Sequence, residues 1–118
     1  MTPEEQAFLD QLRRVLAEKV APLAAETDET AQFVHRQLAT LADLGLMGAN
    51  LPAPFGPAIS AAALYAAVEA VAGACGSTAS ALTAHYLATD SLHLGADPPC
   101  KRAFCLMRRL APNLGPLR

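Results

Sequence analysis

Apolar positions along this chain recur at helical spacing over most of its length. Thr2-Pro3-Glu4-Glu5 has the form of a helix start, with Thr2 as cap, Pro3 in the first turn and Glu5 at the capping-box position. Phe8, Leu12, Val15, Leu16 and Val20 follow as one stripe, and Pro22 stops or bends this helix close to Ala21. Ala25 to Thr30 reads as an acidic connector with Asp28 as a cap candidate. A second amphipathic helix then takes Phe33, Val34, Leu38, Leu41 and Leu44 as its buried side, and Gly45 ends it.

From Gly45 to Pro57, glycines and prolines break the periodicity, so this run cannot stay helical. Leu46, Met47 and Leu51 still call for burial, which predicts an ordered connection lying against the helices. Ser60 can cap a third helix from Ala61 to about Ala74, with Leu64, Ala67, Val68 and Val71 facing inward and Gly73 and Gly76 marking its end. Ser77 to Gly95 predicts a long central helix, capped by the Ser77 hydroxyl and closed by a left-handed Gly95. Ala81, Leu82, Ala84, Tyr86, Leu87, Ala88 and Leu92 leave it little polar surface, the mark of a helix inside a bundle. The expected fold class is all-α, an up-and-down helical bundle with an irregular Gly/Pro connection and a poorly ordered C-terminal tail.

Composition agrees with helices. Hydrophobic residues make up 53% and aromatics 5%, with no Trp, so the core is built from Ala, Leu and Val. A length of 118 residues suits one modest domain or a piece of something larger. The Ala-rich run from Ile59 to Ala74 is interrupted by Glu69, which argues against a membrane span, and the acidic start does not resemble a signal peptide. Cys75, Cys100 and Cys105 are an odd, irregularly spaced set, which points to reduced thiols in a cytoplasmic protein. Charge is divided unevenly. Residues 1–97 hold four basic against eleven acidic side chains, a balance of −7, while residues 98–118 hold five basic side chains and no acid. Such a tail could bind an anionic partner, or it could be foreign to the sequence before it.

Chemistry-bearing residues are sparse. His85 and His93 lie eight residues apart without a third ligand at a typical spacing, so no metal site is expected. Glu69 could act as a base but has no partner in sequence, and reads better as a surface or interhelical charge. Cys75 could gain acidity from a helix N-terminus, though a small inert core residue is the plainer reading. No phosphate-cradling glycine loop or nucleophile triad is present, and no catalytic residue is assigned.

Taken in order, the segments resemble the N-terminal helical domain of flavin-dependent acyl-CoA dehydrogenases. Val20-Ala21-Pro22-Leu23-Ala24 is similar to the family's first-helix ending. Leu41-Ala42-Asp43-Leu44-Gly45-Leu46-Met47-Gly48 is similar to its L-x-x-L-G-L-x-G turn. Leu51-Pro52-Ala53-Pro54-Phe55-Gly56 resembles its P-x-x-[YF]-G-G segment, with Pro57 in place of the second glycine. Val68-Glu69-Ala70-Val71-Ala72 resembles its E-E-[LI]-A helix with the first glutamate lost, and Leu94-Gly95-Ala96-Asp97 matches the close of the long helix. The resemblance runs over residues 3 to 97. It implies an oxidoreductase that forms an α,β double bond in acyl-CoA thioesters, where a base removes the α proton and FAD takes the β hydride. It also implies homo-oligomers, with neither nucleic acid nor membrane as partner. The family's catalytic glutamate and most of its FAD contacts lie in parts that have no counterpart here. By position relative to Gly95, Leu82, Thr83 and Tyr86 fall where family members line the acyl pocket, although Leu82 and Tyr86 also suit a core at helical spacing.

Beyond Asp97 the resemblance stops. Back-translating residues 99–118 with suitable synonymous codons, and reading from the last base of Pro98, gives ALQARFLPDAASGAKLGAFA. That is the family's continuation, including its L-P-x-x-A-S-G and G-A-F-A elements. The expected division is therefore a family helical domain over residues 1–97 and a basic tail over residues 98–118 produced by a base lost near Pro98. As a fragment, the chain would be inactive and prone to self-association. The competing reading is a non-enzymatic helical interaction module whose basic tail binds an anionic partner.

Overall fold

Thr2 opens the computed structural model as its sequence pattern predicts. Its hydroxyl accepts from the Glu5 amide, and the Glu5 carboxylate accepts from the Thr2 amide, closing a capping box at the start of α1 (Pro3–Val15). The structure describes residues 1–100 and 102; of the basic tail it describes Pro98, Pro99, Cys100 and Arg102, which are helical, and the rest of the tail lies outside the described residues.

After Val15 the chain stays coiled through a wider π turn, Leu16–Val20, and a tighter 3₁₀ turn, Ala21–Leu23, that contains Pro22. Proline cannot donate to the preceding turn, so the helix changes winding there instead of running on. The acidic connector is itself a short helix, α2 (Ala24–Thr30), and Asp28 lies inside it instead of capping. A left-handed Ala31 (φ 53°) ends α2. α3 (His35–Asp43) starts two residues after Phe33, which is 54% exposed and not part of the buried side. Val34 and Leu41 are buried from the expected stripe, and Gln37 joins them.

Gly45 adopts φ +77°, a conformation that costs glycine little, and turns the chain into the 3₁₀ turn Leu46–Gly48. α4 (Ala61–Ala74) is capped by Ser60, whose Oγ accepts from the Ala63 amide at 3.2 Å. Its inner side is built from Ala63, Ala67 and Val71, small enough for α4 to pack against both α1 and α5 (Gly76–Gly95). Cys75, buried and extended, separates α4 from α5. Ser77 is exposed and does not cap, and Gly95 is not left-handed; α5 ends as Ala96 becomes extended.

The core joins Leu9, Leu12, Leu16 and Val20 to Leu41, Leu46, Ala67, Val71, Leu82 and Tyr86. Leu9 takes the central place that the sequence pattern gave to Phe8, which is half-buried. Each fully buried Leu is worth roughly 1.5–3 kcal/mol of apolar transfer. α5 is enclosed on one side alone: Leu87 is 71% and Leu94 82% exposed, so the fully interior helix expected from its composition is an edge helix in this chain. No strand is present among the described residues.

Candidate functional site

The middle of α5 and the irregular turn after Gly45 hold one another through polar side chains. Tyr86 Oη donates to the Leu46 carbonyl at 2.6 Å, inside the core. One residue earlier, His85 Nε2 lies 2.7 Å from the Met47 carbonyl. A carbonyl accepts only, so that nitrogen carries the proton. In the other direction, Asn50 Nδ2 donates to Thr89 Oγ1 at 2.9 Å and to Asp90 Oδ1 at 2.6 Å, with the Tyr86 carbonyl at 3.3 Å. Three acceptors on one side of the amide fix which atom is nitrogen. Asn50 Oδ1 is buried with no hydrogen-bond partner among the described residues, as is the Thr78 hydroxyl.

Gly56 closes the turn from the other side. A Cβ there would run into the backbone carbonyls of Gly48 and Leu51 and the Leu51 Cβ, so the close approach requires glycine. Beyond it, Phe55 sets its ring edgewise on His93, with centroids 5.6 Å apart.

The three positions singled out for an acyl pocket divide between two sides of α5. Leu82 is fully buried, and Tyr86, one turn later, is 7% exposed; both belong to the core. Thr83 is exposed, and its hydroxyl turns back to the Ala79 and Ser80 carbonyls at 3.0 Å each. Beside it lie Ala84 and Leu87, also exposed. A groove of about 150 Å³ is found elsewhere, between α2 and α3, lined by Leu23, Thr27, Phe33, Arg36 and Gln37. Ligand pockets commonly span roughly 300–1,000 Å³, and this groove is smaller.

His85 and His93 have separate partners, Glu69 is exposed, and Cys75 is a buried thiol. Among the described residues no three His, Cys, Asp or Glu side chains come together as a metal site, and no helix is long and apolar enough to cross a membrane. Sequence reasoning missed Asn50, whose partners lie about forty residues away. It also missed the second role of Glu5, whose Oε1 accepts from the Ser60 amide at 2.6 Å.

Comparison with known proteins bears on the whole arrangement. Residues 2–105 match the family model for the acyl-CoA dehydrogenase N-terminal domain. A Bacillus subtilis protein named probable acyl-CoA dehydrogenase YngJ is 32% identical over 99 residues, covering 83% of this chain and 24% of the relative. Cyclohex-1-ene-1-carbonyl-CoA dehydrogenase of Geobacter metallireducens is 31% identical over 112 residues, covering 94% of this chain and 29% of the relative. Short-chain specific acyl-CoA dehydrogenase of Clostridium acetobutylicum is 31% identical over 86 residues, covering 72% of this chain and 23% of the relative. No solved structure matches. The chain thus spans about a quarter of the length of these relatives. With an all-helical fold and a family match over most of its length, the chain belongs to the acyl-CoA dehydrogenase family and corresponds to its N-terminal domain.

Proposed function

We propose that this chain is the N-terminal helical part of an FAD-dependent oxidoreductase that dehydrogenates acyl-CoA thioesters, and that it is inactive alone. The observation that carries this reading is the uncovered side of α5. Over its 20 residues the helix carries one acid, Asp90, and no Lys or Arg, while Thr83, Ala84, Leu87 and Leu94 are exposed. A helix of that composition is built to be covered. Its cover would be the remainder of the enzyme, with the acyl chain passing along the Thr83 side and Leu82 and Tyr86 stiffening the wall behind it. On this reading FAD and the base that takes the α proton belong to that remainder. The reading further places the protein in the cytoplasm and in acyl-CoA metabolism, with homo-oligomers as the assembled state. It counts residues 98–118 as an out-of-frame tail, and leaves the fragment to self-associate through the exposed side of α5.

The test is flavin content. The purified 118-residue chain should show no FAD absorbance and no acyl-CoA-dependent reduction of an electron-accepting dye. A protein made from the same DNA with one base restored near Pro98 should be yellow and active. Stoichiometric flavin and turnover in the short chain, or a colourless repaired protein, would overturn the proposal.

A further inference from the structure

Residues 51–59 cross the helices as an irregular strap bracketed by two polar anchors. At the near end, Asn50 is bonded to Thr89 and Asp90 of α5. At the far end, Ser60 is bonded to Glu5 of α1. Glu5 Oε1 accepts from the Ser60 amide at 2.6 Å, and Oε2 accepts from the Ser60 hydroxyl at 3.0 Å while holding the Thr2 amide at 3.0 Å. The Ser60 hydroxyl also accepts from the Ala63 amide, so a single carboxylate fixes the first turns of α1 and α4 together. Between the anchors the strap buries Leu51, half-buries Phe55 and Ile59, and makes its own turns through the Pro52 and Leu51 carbonyls.

We propose that Glu5 is an acid-operated latch: its carboxylate holds the strap down over the Leu46–Gly48 turn, and protonation releases the Ser60 end while the α5 core stays folded. The geometry demands an anion. Ser60 presents an N–H and an O–H to Glu5, the carboxylate has acceptor capacity for both and for Thr2, and a carboxylic acid must give up one acceptor to carry its proton. The surroundings add little competing charge. On α1 the neighbour is Glu4, at the start of the chain the Met1 amino group favours the anion, and residues 51–68 contain no Asp, Glu, Lys, Arg or His. The Ser60 amide, followed by the Thr2 amide, holds the Glu5 carboxyl below its ordinary value. A depressed folded value means that the latch contributes above the unfolded carboxylate range and is lost as pH falls through the lower folded value.

Hydrogen exchange followed by mass spectrometry, corrected for intrinsic rates at each pH, tests this on the full chain. At pH 7 the strap peptide of Glu5→Gln should exchange at least about tenfold faster than wild type, the usual scale of a lost charged hydrogen bond, while peptides over residues 78–90 are unchanged. In wild type the same loosening should develop as pH is lowered below that of an ordinary carboxylate, and Glu5→Gln should show no such step. Thr2→Ala, which removes the α1 cap and leaves both Ser60 bonds, should keep the strap within twofold of wild type. The latch is overturned by a Glu5→Gln strap that matches wild type, by a Thr2→Ala strap that opens as far as Glu5→Gln, or by simultaneous loss of protection in α5. If Glu5→Gln does not fold, the wild-type pH series decides between strap opening and global unfolding.

Discussion

Removing one oxygen from Tyr86 measures how much the turn after Gly45 depends on α5. The Tyr86 hydroxyl donates to the Leu46 carbonyl at 2.6 Å, and both residues are buried. In Tyr86→Phe the ring and its packing remain, so the change removes the hydroxyl and its bond to Leu46 without opening a cavity. A neutral buried hydrogen bond contributes about 0.5–1.5 kcal/mol net, and an acceptor left wholly unpaired costs more, about 1–3 kcal/mol. The Leu46 carbonyl also accepts from the Ala49 amide at 3.1 Å, so it is not stripped of partners. The expected loss is therefore near 1 kcal/mol, which for a domain of this size lowers Tm by roughly 4–8 °C. Urea unfolding followed by far-UV circular dichroism would read it as a lower midpoint at unchanged slope. Tyr86→Leu should cost distinctly more, since it also removes ring contacts. A Tyr86→Phe protein as stable as wild type would refute the reasoning, because the turn would then be held by packing alone.

Three further outcomes follow from the same geometry. Gly56→Ala sets a methyl against the backbone carbonyls of Gly48 and Leu51, which cannot move aside as a side-chain end can, and should cost about 2 kcal/mol or more in the same unfolding assay. Leu82→Ala opens a cavity at a position with no solvent exposure and should cost about 2–5 kcal/mol; Thr83→Ala, one residue on and exposed, should change stability by less than about 0.5 kcal/mol. Asn50→Asp replaces a donor 2.6 Å from Asp90 with a second carboxylate, so stability should drop at pH 7 and the gap to wild type should narrow as pH falls and one acid takes up a proton. Paired thermal melts at pH 7 and pH 4.5 would check the direction.

Features that depend on neighbours in sequence were legible in it. The Thr2–Glu5 capping box, the Ser60 cap, the glycine at the left-handed position 45 and the extent of α4 all rest on contacts within four residues, and each is found where the pattern put it. Misplaced elements have a common cause. α2 carries no apolar stripe, so its polar sequence reads as a connector although the chain remains coiled past Pro22. Phe33 fits the spacing of α3 yet precedes its first turn, and so it projects outward. For the candidate site, a resemblance could name positions 82, 83 and 86, but helical rotation sends the first and last inward and the middle one out. Asn50 with Asp90, and Glu5 with Ser60, are bonds across 40 and 55 residues that no local pattern encodes.

Those separations also bear on how the chain acquires its shape as it is made. The Leu46 and Met47 carbonyls and the Asn50 Nδ2 group of the 46–50 turn bond to residues 85, 86, 89 and 90, which follow it by about 40 positions. At translation rates of about 5–20 residues per second, the turn waits roughly 2–8 seconds for α5 to be synthesised. During that interval Leu46, buried in the finished fold, lacks the contacts with α5 that complete its cover.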